Sequence, residues 1–253
     1  MLIRGLLDMN HAIKYLIPLL CLAIYPPTLY AEDIPHTIKI EAEAWPRATE
    51  VDGRGMYWDI IRKIYEPEGV KVELGTSTYT RSVGLMKSGE VDAMVGAYAN
   101  EIEGALYAKS HFDTDVVAAL FKKNSVTWQG EASLKGKHIA SIKGYQLSDY
   151  ISVPFKVHEY RDRKEIIRLL DDEKIDFFVD AQMDIQEELK KSYIPKNTFQ
   201  LEIVKQLKVY IVFCDNDRGK YLRDMFDQRF NSLLQEGEIK RIFDKWNWPL
   251  YPF

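Results

Sequence analysis

Few side chains in this chain have the spacing that enzyme chemistry requires. None of the histidines stands beside a nucleophile or at the spacing of a metal site; they are His11, His36, His111, His138 and His158. The sequence also lacks a glycine-rich phosphate loop. Carboxylates alone can carry out acid–base chemistry, so an enzyme remains an alternative. The sequence itself predicts no catalytic residue, no metal site and no cofactor.

Residues 1–31 have the pattern of a secretory signal peptide. Arg4 and Lys14 precede an apolar run at 15–25, prolines end the run, and Ala31 comes just before polar residues. The run is shorter than the roughly 20 residues of a membrane-spanning helix, although an uncleaved anchor is an alternative. Met9 is a second candidate start. We therefore expect a periplasmic protein, and its formal net charge of −4 disfavours nucleic acid as a partner.

Strand and helix patterns alternate along the rest of the chain. The alternation occurs at 37–118 and again at 134–213, and two helices at 219–235 and 238–246 follow. Such strand–helix–strand repeats favour an α/β fold with a largely parallel sheet. The predicted strands lie at 37–40, 70–74, 91–95, 138–142, 175–179 and 209–214, and the earlier helices at 59–66, 81–88 and 162–170.

Four short motifs follow the predicted signal peptide in order along the chain. They read GEVDA at 89–93, SLKGK at 133–137, KIDFFVD at 174–180 and FNSLLQEGEIKRIFDKW at 230–246. Together they resemble the family 3, or amino-acid-type, periplasmic solute-binding proteins of ABC transporters. The resemblance covers about residues 37–248.

The resemblance implies a type II periplasmic-binding-protein fold, with two βαβ lobes joined by a two-strand hinge. Residues 34–120 and 214–253 would form lobe 1, and residues 121–213 would form lobe 2. The hinge strands would cross near 118–122 and 210–214. A ligand would bind in the cleft, at the carboxyl ends of the strands.

The resemblance also implies candidate ligand contacts. An acidic and an aromatic contact follow the first strand, a second aromatic precedes the 81–88 helix, and Asp180, just past its strand, would bind the ligand's amino group. The turn at 144–146 has backbone amides that suit an anion. The candidates are Glu43, Trp45, Tyr79, Arg81, Tyr98, Glu103, Tyr145, Gln146 and Asp180.

One position departs from the family pattern. Where the family carries an arginine that clamps the ligand's carboxylate, an ungapped comparison places Glu103. Either Arg81 or Arg47 supplies the clamp, or the ligand lacks that carboxylate, or Glu103 faces solvent in a decayed site. In the second case, Glu43, Glu103 and Asp180 would make an acidic pocket for a cation.

The sequence therefore predicts a binding protein that is not an enzyme. It would capture a small amine-bearing molecule, such as an amino acid or an amine, and present it to an ABC importer. A ligand-sensing protein that signals to a membrane receptor is the alternative, and a dehydratase-like enzyme on the same fold is a third. We expect a monomer whose partners are the small molecule and a membrane permease or receptor.

Overall fold

The computed structural model describes residues 35–253. This part of the chain contains nine strands and six α-helices. The predicted signal peptide at 1–31 lies outside the described residues. The strands are β1 (Thr37–Glu43), β2 (Lys71–Ser77), β3 (Ala93–Tyr98), β4 (Ala105–Tyr107), β5 (Asp113–Lys122), β6 (His138–Ile142), β7 (Lys156–Tyr160), β8 (Phe177–Ala181) and β9 (Phe199–Cys214). The helices are α1 (Met56–Tyr65), α2 (Tyr79–Ser88), α3 (Arg163–Asp171), α4 (Gln182–Lys191), α5 (Asp217–Gln235) and α6 (Glu238–Lys245).

Three parallel strands form the first part of the sheet. β1 pairs with β2 along its whole length and with β3 at Ile40 and Glu41. Helix α1 covers this part with Ile60, Ile61 and Ile64, whose helical spacing puts them on one buried stripe. Because β1 and β3 run in the same direction, their carboxyl ends lie at the same edge of the sheet.

The second part of the sheet repeats this arrangement. β6 pairs in parallel with β7 and with β8. Helix α3 begins where it does because the Asp162 side chain accepts a hydrogen bond from the Lys164 N–H at 2.8 Å and caps the first turn. The sequence placed Asp180 just past its strand. In the structure β8 continues to Ala181, so Asp180 lies inside the strand and is fully buried.

Two long antiparallel strands join the two parts. β9 pairs with β3 through residues 209–213 and with β5 through residues 199–209, and β5 pairs with β8 through residues 117–120. The sheet order is therefore β2-β1-β3-β9-β5-β8-β6-β7, with β4 on β9. The lobe boundaries and the crossing near 118–122 and 210–214 stay predictions. Residues 114–116 of β5 pair with residues 206–208 of β9, between the part of β9 that pairs with β3 and the part of β5 that pairs with β8.

The last two helices return to the first part of the sheet. The Tyr65 hydroxyl of α1 donates to the Leu222 carbonyl of α5 at 2.9 Å. The Trp246 indole donates to the Asp59 carboxylate at 2.7 Å and ties the end of α6 to α1. Among residues 35–253, no helix combines the length and the apolar character needed to span a bilayer.

Candidate functional site

A cavity of about 50 Å³ lies where strands of the two parts of the sheet face each other. Its walls include the residues that end β3 and β8, the beginning of β5, and the segments that follow β1 and β6. The volume corresponds to room for on the order of four water molecules. The lining residues are Trp45, Pro46, Ala48, Tyr57, Tyr79, Gly96, Tyr98, Glu101, Asp115, Tyr145, Ala181, Met183, Asp184, Val209 and Trp248.

Aromatic rings form one wall of this cavity. The Trp45 ring lies 6.5 Å from the Tyr57 ring and 6.4 Å from the Tyr79 ring, measured between centroids. Tyr79 in turn packs edge-on against Tyr145 at 5.5 Å, and the Trp45 indole donates to the Tyr145 hydroxyl at 3.0 Å. Such linked rings form a rigid surface with negative faces, which favours apolar and cationic groups.

Gly96 allows the Trp45 ring to approach the sheet. It stands at an irregularity in the β3–β9 pairing, with a φ of +106°, and a Cβ at this position would collide with the Trp45 indole. This conformation and this close approach both require glycine.

We expect Gly96→Ala to lower the free energy of unfolding by about 1–3 kcal/mol, because it strains the backbone and displaces the indole. Gly84→Ala is the matched control. Gly84 lies in the interior of α2 with no left-handed φ and with open space around its Cα, so the alanine should stabilise the helix by up to about 1 kcal/mol. Urea unfolding of both variants measures the difference, and equal stabilities would show that Trp45 does not depend on Gly96.

Three carboxyl groups face the same cavity. Burial raises the pKa of Glu101 to about 7 and that of Asp115 to about 6. Burial also raises the pKa of Asp184 to about 7, against the opposing attraction of Arg163. The Tyr98 hydroxyl donates to Asp115 at 3.0 Å, and the Tyr98 N–H donates to Glu101 at 2.7 Å. These desolvated acids would gain most from a cation placed between them.

The Tyr79 hydroxyl is a buried polar group at this cavity. Tyr79 is 4% exposed, and its hydroxyl lies beside the Glu101 carboxyl group. Burial and the nearby Glu101 carboxylate raise the pKa of this phenol well above its usual value, so it stays protonated. A protonated phenol beside a carboxyl group offers a ligand both a donor and an acceptor.

Arg163 is the functional candidate that sequence reasoning missed. Its guanidinium donates to Asp180 through Nε at 2.8 Å, to Asp184 through Nη2 at 2.8 Å and to the Tyr145 hydroxyl at 2.9 Å. Its Nη1 reaches Glu43 at 3.5 Å, and Glu43 also accepts from the Tyr79 N–H at 3.2 Å. One arginine therefore connects three carboxylates beside the cavity.

A weak signal for Arg163 was present in the sequence. Asp162 marks a helix start, and a basic residue directly after it meets the positive end of the helix dipole. That unfavourable position suggests a partner elsewhere in the fold. The partners themselves come from three other segments, which sequence spacing does not relate.

The structure divides the predicted site residues into three groups. Four of them line the cavity: Trp45, Tyr79, Tyr98 and Tyr145. Two belong to the Arg163 cluster beside it: Glu43 and Asp180. Three are exposed and lie outside it: Arg81, Glu103 and Gln146.

Glu103, which the ungapped comparison placed at the clamp position, is exposed and lies outside the cavity lining. Glu101, two residues before Glu103, turns into the cavity because its carboxylate bonds back to the Tyr98 N–H across a tight turn. The proposed clamps also fall outside the lining. Arg81 is exposed on α2, and the Arg47 guanidinium stacks on Trp248 at 5.6 Å. Among the described residues that line the cavity, none is basic.

Comparisons with known proteins identify the fold. No protein-family model and no curated sequence matches the chain. Among solved structures, an ABC uptake transporter substrate-binding protein from Streptococcus pneumoniae with bound histidine has a TM-score of 0.65 at 16% identity, over 83% of this chain and 92% of that one. A histidine kinase sensor domain similar to periplasmic binding proteins has a TM-score of 0.70 at 19% identity, over 85% of this chain and 97% of that one.

A third similar structure is an ancestral amino-acid-binding protein described as a precursor of cyclohexadienyl dehydratase. It has a TM-score of 0.65 at 14% identity, over 83% of this chain and 95% of that one. A transporter binding protein, a sensor domain and a precursor of an enzyme thus share one architecture. Sequence identities this low establish the architecture of this chain and not its function. The chain has the type II periplasmic-binding-protein fold, as the sequence predicted.

Proposed function

We propose that the protein is a periplasmic solute-binding protein that captures a small amine-bearing molecule and presents it to an ABC importer. The molecule would bind in the cavity between the two parts of the sheet. Residues 34–120 and 214–253 would form one lobe and residues 121–213 the other. The paired crossing strands β5 and β9 would allow the lobes to close on the ligand while restricting other motions.

The charge of the cavity lining carries this proposal. Glu101, Asp115 and Asp184 face it, and no basic side chain does so among the described lining residues. An ammonium group would be attracted to the carboxylates and to the faces of Trp45 and Tyr79. A ligand carboxylate would meet the carboxyl groups of the lining in a partly desolvated space, and the nearby Arg163 is already engaged by three carboxylates, so zwitterionic amino acids are disfavoured.

A sensing role is the second candidate. The similar histidine kinase sensor domain has the same fold over 85% of this chain, which supports ligand detection as well as transport. The binding site would be the same in both cases, because only the membrane partner differs. Gene neighbours distinguish the two roles: an adjacent permease favours import, and an adjacent kinase or receptor favours sensing.

A thermal-shift screen of amines and amino acids tests the proposal. Small amines such as methylamine, ethylamine and ethanolamine are expected to raise the melting temperature by about 5–10 °C at 100 times their dissociation constant. Glycine, alanine and glutamate should have little effect, because their carboxylates find no basic partner. If amino acids stabilise the protein while amines do not, the acidic-cavity interpretation is wrong, and Arg47 becomes the candidate clamp.

Two neighbouring glutamates provide a matched control for this screen. Glu101→Gln keeps the shape of the cavity but removes a facing charge, which should weaken amine binding about thirtyfold or more. Glu103→Gln changes the same charge on an exposed side chain two residues away and should leave the affinity unchanged. Calorimetry on both variants measures the difference.

A further inference from the structure

The Arg163 guanidinium is surrounded by three carboxylates and an aromatic ring. Its guanidinium lies against Asp180 and Asp184 from the second part of the sheet, and against Glu43 from the first part. The guanidinium also stacks on the Tyr145 ring, 5.7 Å from its centroid. Carboxylates on several sides and an aromatic face are the groups that a protein uses to bind an organic cation.

The negative charges around Arg163 exceed its single positive charge. Three acidic groups meet one guanidinium, and Asp180 is fully buried while Asp184 is 8% exposed. Buried carboxylates at this density require a cation, since desolvation and mutual repulsion both oppose their ionisation. Here the chain itself supplies the cation.

We propose that Arg163 is an internal substitute for the cationic group of a ligand, and that it determines specificity by closing this anionic subsite to solutes. The solute is then confined to the adjoining cavity, which shares Asp184 with the subsite. The inference deepens the proposed function, and only the confinement of the solute rests on that proposal. A longer cation that needs both spaces is excluded by size, because the guanidinium already fills one of them.

Removal of the side chain should open the subsite. Arg163→Ala leaves a guanidinium-shaped space that keeps Glu43, Asp180, Asp184 and Tyr145 as its walls. Methylguanidinium added from solution should bind there, restore the lost contacts and raise the melting temperature of the variant by about 3–6 °C at ten times its dissociation constant. The probe is used at about 10 mM, far below the molar concentrations at which guanidinium denatures proteins.

Arg161→Ala is the matched control, because it removes the same side chain from an exposed position two residues earlier. Binding of methylguanidinium in the adjoining acidic cavity should stabilise wild type and Arg161→Ala equally, and the rise for Arg163→Ala should exceed that shared amount. Tetramethylammonium, which has charge but no N–H donors, should stabilise Arg163→Ala less than methylguanidinium does. Equal responses of Arg163→Ala and Arg161→Ala to methylguanidinium would overturn the proposal.

A second variant tests the proposal even if Arg163→Ala does not fold. Arg163→Ala combined with Asp184→Asn removes one of the unpaired carboxyl charges and keeps Asp180 and Glu43 as partners for the probe. Stabilisation of this double variant by methylguanidinium beyond that of Asp184→Asn alone supports the proposal, and equal responses of the two variants contradict it. The amine screen on wild type is independent of both variants, so a failure of the proposed function and a failure of this inference are distinguishable.

Discussion

Asp180→Ala is expected to lower the free energy of unfolding by about 3 kcal/mol, the lower end of the range for breaking a buried ion pair. The Asp180 carboxylate is fully buried, accepts from Arg163 at 2.8 Å and accepts from the Ala181 N–H at 2.8 Å. Its removal leaves the guanidinium short of a partner. The value stays near the lower end because Asp184 and Glu43 remain beside Arg163.

Urea unfolding at neutral pH measures this effect. Asp224→Ala is the control, since Asp224 is exposed on α5 and pairs only with its neighbour Arg223; a change within about 0.5 kcal/mol is expected there. If both variants lose the same small amount, the Arg163–Asp180 pair contributes nothing to stability. A large loss for Asp180→Ala would show that this side chain has a structural role, in addition to the ligand contact that the family resemblance implied.

Amine affinity is expected to rise between pH 5 and pH 7 by up to about tenfold per pH unit for each carboxyl group that must ionise, and then to level off. A cation binds best to ionised carboxylates, and burial raises the pKa of Glu101 to about 7 and that of Asp115 to about 6. At a pH below these pKa values, each carboxyl group must lose its proton before it can bind the cation. Calorimetric titrations at several pH values measure the slope.

The stability of the ligand-free protein should change in the opposite direction. The folded state binds protons at Glu101 and Asp115 more tightly than the unfolded chain, whose pKa values are near 4.5 and 3.8. The resulting stabilisation is full below the unfolded values and is lost as the pH rises through about 6 to 7. The free energy of unfolding should therefore fall between pH 5 and pH 8 when no amine is present.

Glu101→Gln should reduce both pH dependences, because it removes one of the titrating groups. Glu103→Gln serves again as the control, since its carboxylate is exposed and lies outside the cavity. An amine affinity that falls as the pH rises would show that these carboxyl groups do not bind the cation.

The sequence alone determined the alternation of strands and helices. The strand at His138–Ile142 lies where it was predicted, and the predicted helices at 59–66 and 162–170 match α1 and α3 to within a few residues. These predictions succeed because the periodicity of apolar side chains is a local property that follows directly from helix and strand geometry. The family resemblance implied Trp45 and Tyr79 as ligand contacts, and both side chains line the cavity in the structure.

The pairing of the crossing strands could not be predicted from the sequence, because strand pairing is not a local property. Residues 118–122 form part of a strand in the sequence and in the structure, but only the sheet shows that 117–120 pair with β8. The sequence comparison also did not identify Glu101 as the residue that turns into the cavity after β3. Its identity depends on a turn in which Glu101 bonds back to the Tyr98 N–H, and an ungapped comparison does not contain this geometry.

Only the tertiary structure decided how the charges combine. Arg163 lies 120 residues from Glu43 along the chain, yet the two side chains meet beside Asp180. No sequence pattern relates these positions, because each is set by where a different element begins or ends. The pKa values of the cavity acids depend on the same packing, since burial raises them and burial exists only in the folded chain.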